Sequence, residues 1–276
     1  MPDLHRFDVE DVEYLRHDGK PLLARFYRPR GKGPFPGLVE VHGGAWTMND
    51  RTVNVAIHEA LARSGVVVMA VDFRMPPEAR YPASILDINF AVRWLKHHAH
   101  ELGVNRELVG GLGTSSGGHQ IMLLALRPSD PRYAAVPLPG ASADAGLAFV
   151  AQCWPINDPL ARYGMVKANG NMRLVQAHDA YWPDEAAMAD ANPQRILDLG
   201  EARPLPPALL LQGTNDDNVT PDMADRFAAS YRERGGRIEL HKFPGQSHAF
   251  IARDPAAPDA AKALETIVAF VRRCTS

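Results

Sequence analysis

One glycine-rich stretch, GLGTSSGG at residues 111–118, follows an apolar run and precedes a helical pattern. Such a stretch can cradle a phosphate, or it can form a sharp turn that presents a reactive serine. As a dinucleotide fingerprint it fails at the third glycine, where Ser116 stands, and no GKS or GKT triplet indicates a P-loop. Counted from Gly113, the residues fit G-x-S-x-G with Ser115 at the centre. A glycine-rich turn that only caps a helix would give the same local pattern.

Three further segments supply what a reactive serine needs, and they favour that interpretation. HGGAW at residues 42–46 ends an early strand, and its small residues can offer backbone N–H groups to an oxyanion. GTNDDNV at residues 213–219 follows an apolar strand and holds two candidate acids, Asp216 and Asp217. PGQSH, between the last strand and the last helix, ends in His248. The chain order Ser, Asp, His is the order of an α/β-hydrolase triad.

Strand and helix signals alternate along the chain, and they predict the elements that hold these residues. Apolar runs at residues 35–44, 66–74, 146–154 and 206–213 predict buried strands. A turn signal at Asp18 and Gly19 predicts an antiparallel hairpin at the N-terminal edge. We therefore expect an α/β fold with a mostly parallel central sheet and helices on both faces. Residues 1–276 are expected to form one domain, with residues 155–205, which lack a strand pattern, inserted as a small cap.

Composition and charge exclude several classes of partner. The net charge is −2 and the basic residues are scattered, so we expect no nucleic-acid partner. The acidic N-terminus lacks a signal peptide's apolar core, and no run of 18 apolar residues predicts a membrane span. Cys153 and Cys274 do not form a disulfide framework, which favours the cytoplasm. The histidines of KHHAH, at positions 97, 98 and 100, lack the companions of a metal site, and none is expected.

The assembled motifs resemble those of α/β-hydrolase-fold esterases of the hormone-sensitive-lipase-like group, over nearly the whole chain. The corresponding segments in that group are HGGG, DYRLAPEHPFP, GDSAGG and GxxHGF, matched here at residues 42–45, 72–82, 113–118 and 245–250. Ala45 departs from the third glycine, and HGGxW is also similar to kynurenine formamidases. Thr114 and Ser116 replace the acid and the alanine of the elbow.

The resemblance implies a serine carboxylesterase that needs no cofactor and acts on small-molecule short-chain or aryl esters. Ser115 is then the nucleophile, His248 the base and Asp216 the acid, whereas the oxyanion would be held by Gly43, Gly44, Ala45 and Ser116. Large aromatic residues could line the acyl or aryl pocket or simply pack the cap: Trp46, Trp154, Tyr163 and Trp182. An amidase or arylformamidase with the same triad is the alternative function, and a non-catalytic ligand-binding homologue is a third. The sequence leaves a homodimer open.

Overall fold

The structure is a computed structural model, and it describes residues 4–140, 144–201 and 205–276. The described residues form eight strands in one sheet. In chain order these are β1 (Phe7–His17), β2 (Lys20–Pro29), β3 (Phe35–Val41), β4 (Val67–Val71), β5 (Val104–Thr114), β6 (Val150–Cys153), β7 (Ala208–Gly213) and β8 (Ile238–Phe243). Their spatial order is β1-β2-β4-β3-β5-β6-β7-β8.

The sheet is antiparallel at one edge and parallel elsewhere, as predicted. Asp18 and Gly19, with φ of 47° and 81°, turn the chain between β1 and β2. Strand β2 also pairs antiparallel with β4, and every pair from β4 to β8 is parallel. Every residue of β4, β6 and β7 is buried, which explains why these strands are continuous apolar runs rather than alternating ones.

Ten helices surround this sheet among the described residues. They are α1 (Val55–Arg63), α2 (Ala83–His97), α3 (Ser116–Leu126), α4 (Pro159–Ala168), α5 (Met172–Tyr181), α6 (Glu185–Asp190), α7 (Pro193–Leu199), α8 (Pro221–Glu233), α9 (Phe250–Arg253) and α10 (Pro258–Thr275). Apolar residues of α2, α3, α7 and α8 pack on one face of the sheet, and those of α1, α9 and α10 pack on the other. Helices therefore cover both faces. No described helix has both the length and the apolar character that crossing a bilayer requires.

The described residues between β6 and β7 are largely helical, and their polar side chains explain why this part of the sequence lacks a clear pattern. Helices α4 to α7 fill most of it, and each begins at a side-chain cap: Asp158, Asn171, Asp184 and Asn192 accept bonds from backbone N–H groups of their first turns. Prolines open α4 and α7. The Asp, Asn and Pro content thus marks short helices that follow one another closely.

Candidate active site

Ser115 occupies a sharp turn between β5 and α3. Its backbone angles are φ 51° and ψ −117°, a conformation that a residue with a side chain rarely adopts. The turn leaves no room beside it: a Cβ at Gly113 would lie 2.4 Å from the carbonyl oxygen of Gly117. A Cβ at Gly117 would lie 2.0 Å from the carbonyl oxygen of Val41. Gly113 is therefore required by close packing within the turn, and Gly117 by close packing of the turn against β3.

The structure brings the three predicted triad residues together from three different loops. The Ser115 hydroxyl lies 2.9 Å from Nε2 of His248, close enough to donate to it. Nδ1 of the same ring lies 2.8 Å from Oδ2 of Asp216. Ser115 is only 7% exposed, so the hydroxyl opens on a confined space rather than on bulk water. The arrangement is one in which an imidazole can take the serine proton while a carboxylate fixes its tautomer.

The environment of the acid separates the two candidates. Asp216 is buried, and its carboxylate accepts from the backbone N–H groups of Asn218 and Val219 and from the Gln212 amide, each at 2.9 Å. Burial raises the pKa of Asp216, but the bonds from His248 and from these N–H groups together lower it by more. The pKa of Asp216 therefore lies below its ordinary value. Asp217 is exposed. Only Asp216 is therefore placed to act as the acid.

Backbone N–H groups without a described acceptor occur in the loop at 43–45 and at the start of α3, the two segments next to Ser115. Gly44 and Ala45, with φ of 124° and 51°, turn the loop so that their N–H groups bond to no described residue. Ser116 contributes a first-turn N–H of α3, which has no acceptor within the helix. Its hydroxyl accepts from the N–H of Trp46 at 3.1 Å, which ties the loop to the elbow. These three N–H groups are therefore the candidate donors to an oxyanion on Ser115.

Gly43 differs from the prediction for these donors. Its N–H donates to the Thr114 hydroxyl at 2.9 Å, so that donor is already bonded and is not free for an oxyanion. A Cβ at this position would lie 2.9 Å from the Thr114 carbonyl oxygen. In this structure Gly43 therefore anchors the loop to the elbow through Thr114, and a donor role for it stays a prediction.

A cleft of about 260 Å³ lies over Ser115. Its walls come from the loop at 43–49, from the start of α5 and from the two loops that carry the acid and the base; they include Met48, Trp154, Leu174, Asn218 and Ala252. A larger groove of about 620 Å³ shares Met48 and Arg173 with the cleft but does not contain Ser115. The smaller cleft is therefore the one on which the Ser115 hydroxyl opens.

Of the four aromatic residues expected to line a pocket, Trp154 lines this cleft. Its ring lies edge-on to those of His248 and Phe250, with centroids 6.1 and 5.4 Å apart. Trp46 is buried, stacked on Tyr181 at 5.3 Å and bonded through Nε1 to His119. Trp46, Tyr163 and Trp182 are not among the residues that line this cleft, so their part in a substrate pocket stays a prediction.

Packing accounts for the other two aromatic residues. Trp182 is 2% exposed and packs edge-on against Trp46 and His119, with ring centroids 5.8 and 5.4 Å apart. Tyr163 packs on His178 and bonds Asp179. Trp182 joins the end of α5 to the loop at 42–46 and to α3, whereas Tyr163 joins α4 to α5. Large aromatic surfaces are most stable when buried between elements in this way.

Sequence reasoning missed several residues of the site. Leu174 and Asn218 line the cleft although neither belongs to a recognisable motif. Glu40 is buried in β3 behind the loop, and Asn54 bonds both Glu40 and Thr114. The one signal available was the acidic Glu40 inside an apolar strand, since a charge at such a position needs a partner. Within the described ranges, no group of three or more His, Cys, Asp or Glu side chains is arranged for a metal ion.

Solved structures of esterases share this fold. The hyperthermophilic esterase from the archaeon Pyrobaculum calidifontis superposes with a TM-score of 0.80 at 24% identity, covering 99% of this chain and 87% of that one. The carboxylesterase EstE1, cloned from a metagenomic library, gives 0.80 at 23% identity, covering 99% and 91%. At these identities the likeness establishes the fold, which is the α/β-hydrolase fold.

Sequence relatives extend the likeness. Esterase LipC of Mycobacterium tuberculosis is 30% identical over 263 residues, which are 91% of this chain but 62% of LipC, so the chain spans less than two thirds of that relative. Ethyl acetate hydrolase of Pseudomonas putida is 26% identical over 269 residues, or 94% of this chain and 81% of that protein. These relatives agree with the resemblance to hormone-sensitive-lipase-like esterases. The sequence model of the BD-FAE family matches residues 25–231, and the chain belongs to that family.

Proposed function

We propose that this protein is a serine carboxylesterase that hydrolyses short-chain or aryl carboxylic esters through an acyl-enzyme on Ser115. The observation that carries the proposal is the continuous chain of contacts from Ser115 Oγ through His248 to the buried Asp216, at 2.9 and 2.8 Å. Ser115 opens on a cleft that Gly44 and Ala45 also line, and the backbone N–H groups of these two residues bond to no described residue. The two relatives named esterase LipC and ethyl acetate hydrolase support the same class of reaction.

Each step of the proposed reaction can be assigned to a group of the site. His248 takes the proton of Ser115 as the hydroxyl oxygen attacks the ester carbonyl, and Asp216 stabilises the imidazolium that forms. The N–H groups of Gly44, Ala45 and Ser116 hold the oxyanion, and each such donor is worth roughly 10²–10³ in rate. His248 then returns the proton to the leaving alcohol. Water, activated by the same base, releases the acid and restores the serine.

The size of the cleft supports small acyl groups. The cleft has a volume of about 260 Å³, and its lining includes Leu174 of α5 and Trp154. Each methylene that fits gains about 0.8 kcal/mol of burial, until the wall is met and strain outweighs the gain. We expect rates on p-nitrophenyl esters to peak between about two and six acyl carbons and to collapse by C12. A peak at C12 or beyond would contradict the assignment of this cleft as the acyl site.

Covalent labelling is the direct test of the proposed chemistry. A fluorophosphonate should add to Ser115, as mapped by peptide mass spectrometry, and the Ser115→Ala variant should stay unlabelled. A wild-type protein that remains unlabelled would favour a non-catalytic, ligand-binding protein. Parallel turnover of aryl acetates and aryl formamides separates the esterase from the arylformamidase alternative, since amide cleavage also requires protonation of an amine by His248.

Three further statements belong to the proposal. Residues 155–205 act as the cap, which the contribution of α5 to the cleft wall supports. The protein works in the cytoplasm, in keeping with the free thiols of Cys153 and Cys274. A homodimer is a hypothesis that light scattering tests by giving the mass of one chain or of two.

A further inference from the structure

A buried carboxyl lies behind the proposed oxyanion site, where the reaction itself does not use it. Glu40 is fully buried in β3, at the centre of the sheet, and pairs in register with Leu112 of β5. Its Oε2 lies 3.0 Å from Nε2 of His58, which is also fully buried, in α1. Removing a carboxyl from water in this way is costly unless its oxygens have partners. A role for Glu40 should therefore be sought among the groups that it contacts.

One amide connects Glu40 to the residue before the nucleophile. Nδ2 of Asn54 lies 2.9 Å from Oε1 of Glu40 and 3.2 Å from Oγ1 of Thr114, so its two hydrogens serve two acceptors. Asn54 precedes α1 with φ 61°, and this left-handed conformation places the amide between β3 and β5. Glu40 thereby orients Asn54, and Asn54 in turn orients the hydroxyl of Thr114.

The Thr114 hydroxyl passes this constraint to the loop at 42–46. It accepts the N–H of Gly43 at 2.9 Å, while the Gly43 carbonyl accepts Nδ2 of Asn49 at 3.2 Å. Gly43 is thus held from both sides of its backbone. The N–H groups of the next two residues, Gly44 and Ala45, are candidate oxyanion donors, so the position of Gly43 determines where those groups point.

We propose that Glu40, Asn54 and Thr114 are positioning residues that hold the oxyanion loop in its reactive geometry. The inference rests on the proposed esterase function. The elbow position that is an acid in the resembled esterases is Thr114 here, and a buried carboxyl reaches it instead from the neighbouring strand, through Asn54. Pre-arranged donors stabilise the developing oxyanion without reorganising during the reaction, and a displacement of about 1 Å can cost about a hundredfold in rate.

A pair of substitutions at Thr114 isolates the hydroxyl. Thr114→Val keeps the shape but removes the acceptor of Gly43, and we expect kcat on p-nitrophenyl butyrate to fall about ten- to hundredfold. KM should change less than about threefold, because oxyanion donors act mainly in the transition state. Thr114→Ser restores the hydroxyl and should recover most of the lost kcat. A trifluoromethyl ketone, which mimics the tetrahedral adduct, should bind Thr114→Val more weakly by a factor similar to the loss of kcat.

Two more variants test the chain from its other end. Asn54→Gly removes the amide while accepting the left-handed backbone, so it disturbs the start of α1 little. Glu40→Gln removes the carboxylate from the same site. Both should lower kcat and ketone affinity together. The matched control is Glu59→Gln, which removes a partly exposed carboxylate of α1 that bonds Arg63 and should leave both quantities unchanged.

The outcomes are distinguishable. A purely structural role would lower the melting temperature of these variants and leave kcat and ketone affinity within about twofold of the wild type, which would overturn the inference while the esterase proposal stood. The inference would also be overturned if kcat of Thr114→Ser were no higher than kcat of Thr114→Val. A wild-type protein that neither hydrolyses esters nor binds the ketone would overturn the proposed function and the inference together. Should Thr114→Val fold poorly, Asn54→Gly decides the question alone.

Discussion

At the scale of single residues, Ser115 combines reactivity with backbone strain. Holding a non-glycine residue at φ 51° and ψ −117° costs of order 1–3 kcal/mol of stability. Interactions of the surrounding turn must offset this cost. Here the Ser115 N–H bonds the Cys153 carbonyl at 2.9 Å, and the Ser115 carbonyl accepts the N–H of Ile156 at 3.1 Å. The strain is therefore maintained by bonds to β6 and to the chain that follows it.

This strain predicts opposite effects on activity and on stability. Ser115→Ala should lower kcat by several orders of magnitude and leave the fold intact, because the serine contributes chemistry rather than core volume. Ser115→Gly should be as inactive, yet more stable than Ser115→Ala by about 1 kcal/mol, since glycine adopts this conformation freely. Urea denaturation of the two variants measures the difference. Equal stabilities would show that the turn is not strained.

The two adjacent acids provide a matched pair. Asp216→Asn should lower kcat by up to about 10⁴-fold, because an amide favours the wrong imidazole tautomer. Asp217→Asn changes an exposed side chain of the same loop and should cost less than about twofold. Steady-state kinetics on one short-chain ester compares them. Similar losses, or the reverse ranking, would move the role of the acid to Asp217.

At the scale of elements, α5 and the chain just after it play different parts. Leu174 of α5 lines the cleft, so Leu174→Ala should enlarge it and shift the preferred acyl chain to greater length. Trp182 is packed between Trp46 and His119, away from the cleft. Trp182→Ala should therefore leave the chain-length profile unchanged and destabilise the protein by about 3–5 kcal/mol.

Profiles on p-nitrophenyl esters from C2 to C12, with melting curves, test both expectations. A Trp182→Ala enzyme with a broadened profile would restore that tryptophan to the pocket wall. An unaltered profile in Leu174→Ala would remove α5 from it. The comparison thus decides which side chain of the inserted helices limits the substrate.

At the scale of the whole molecule, buried neutral histidines link stability to pH. Burial lowers the pKa of His178 to about 3, with the nearby charge of Arg162 adding to the effect, and burial lowers the pKa of His119 to about 4. Below the ordinary pKa near 6.5 the unfolded chain takes up these protons and the folded chain does not. Stability conferred by the neutral rings is therefore complete above about pH 6.5 and is lost progressively as the pH falls toward 4.

Removing one of these rings should flatten the pH dependence. Between pH 7.5 and 5, each buried histidine costs up to about 2 kcal/mol of unfolding free energy. His178→Phe keeps an aromatic ring against Trp46 and Tyr163 and should lose less stability on acidification than the wild type does. His100→Gln, at an exposed site, is the control and should follow the wild type. Identical pH slopes in all three proteins would contradict a neutral buried His178.

The sequence by itself determined the mostly parallel sheet and the order of the proposed triad residues along the chain. Buried parallel strands must be continuous apolar runs, and the polar loops after them must meet at the carboxyl edge. The loops of Ser115, Asp216 and His248 were therefore predictable as neighbours, and the structure places all three together. Helices α4 to α7 were missed as such, because segments this short carry caps and prolines in place of a long apolar period.

Only the tertiary structure decided which side chains face the cleft. The sequence alone does not distinguish Trp46, Trp154 and Trp182. Whether an indole ring lies in the core or in the wall of the cleft depends on contacts between residues that are far apart in the chain. The same holds for Glu40, whose partners are His58 of α1 and Asn54, the residue that precedes α1. Local pattern reports which face of an element is apolar, whereas the direction of one side chain is set by packing among elements, and that is known only once they are assembled.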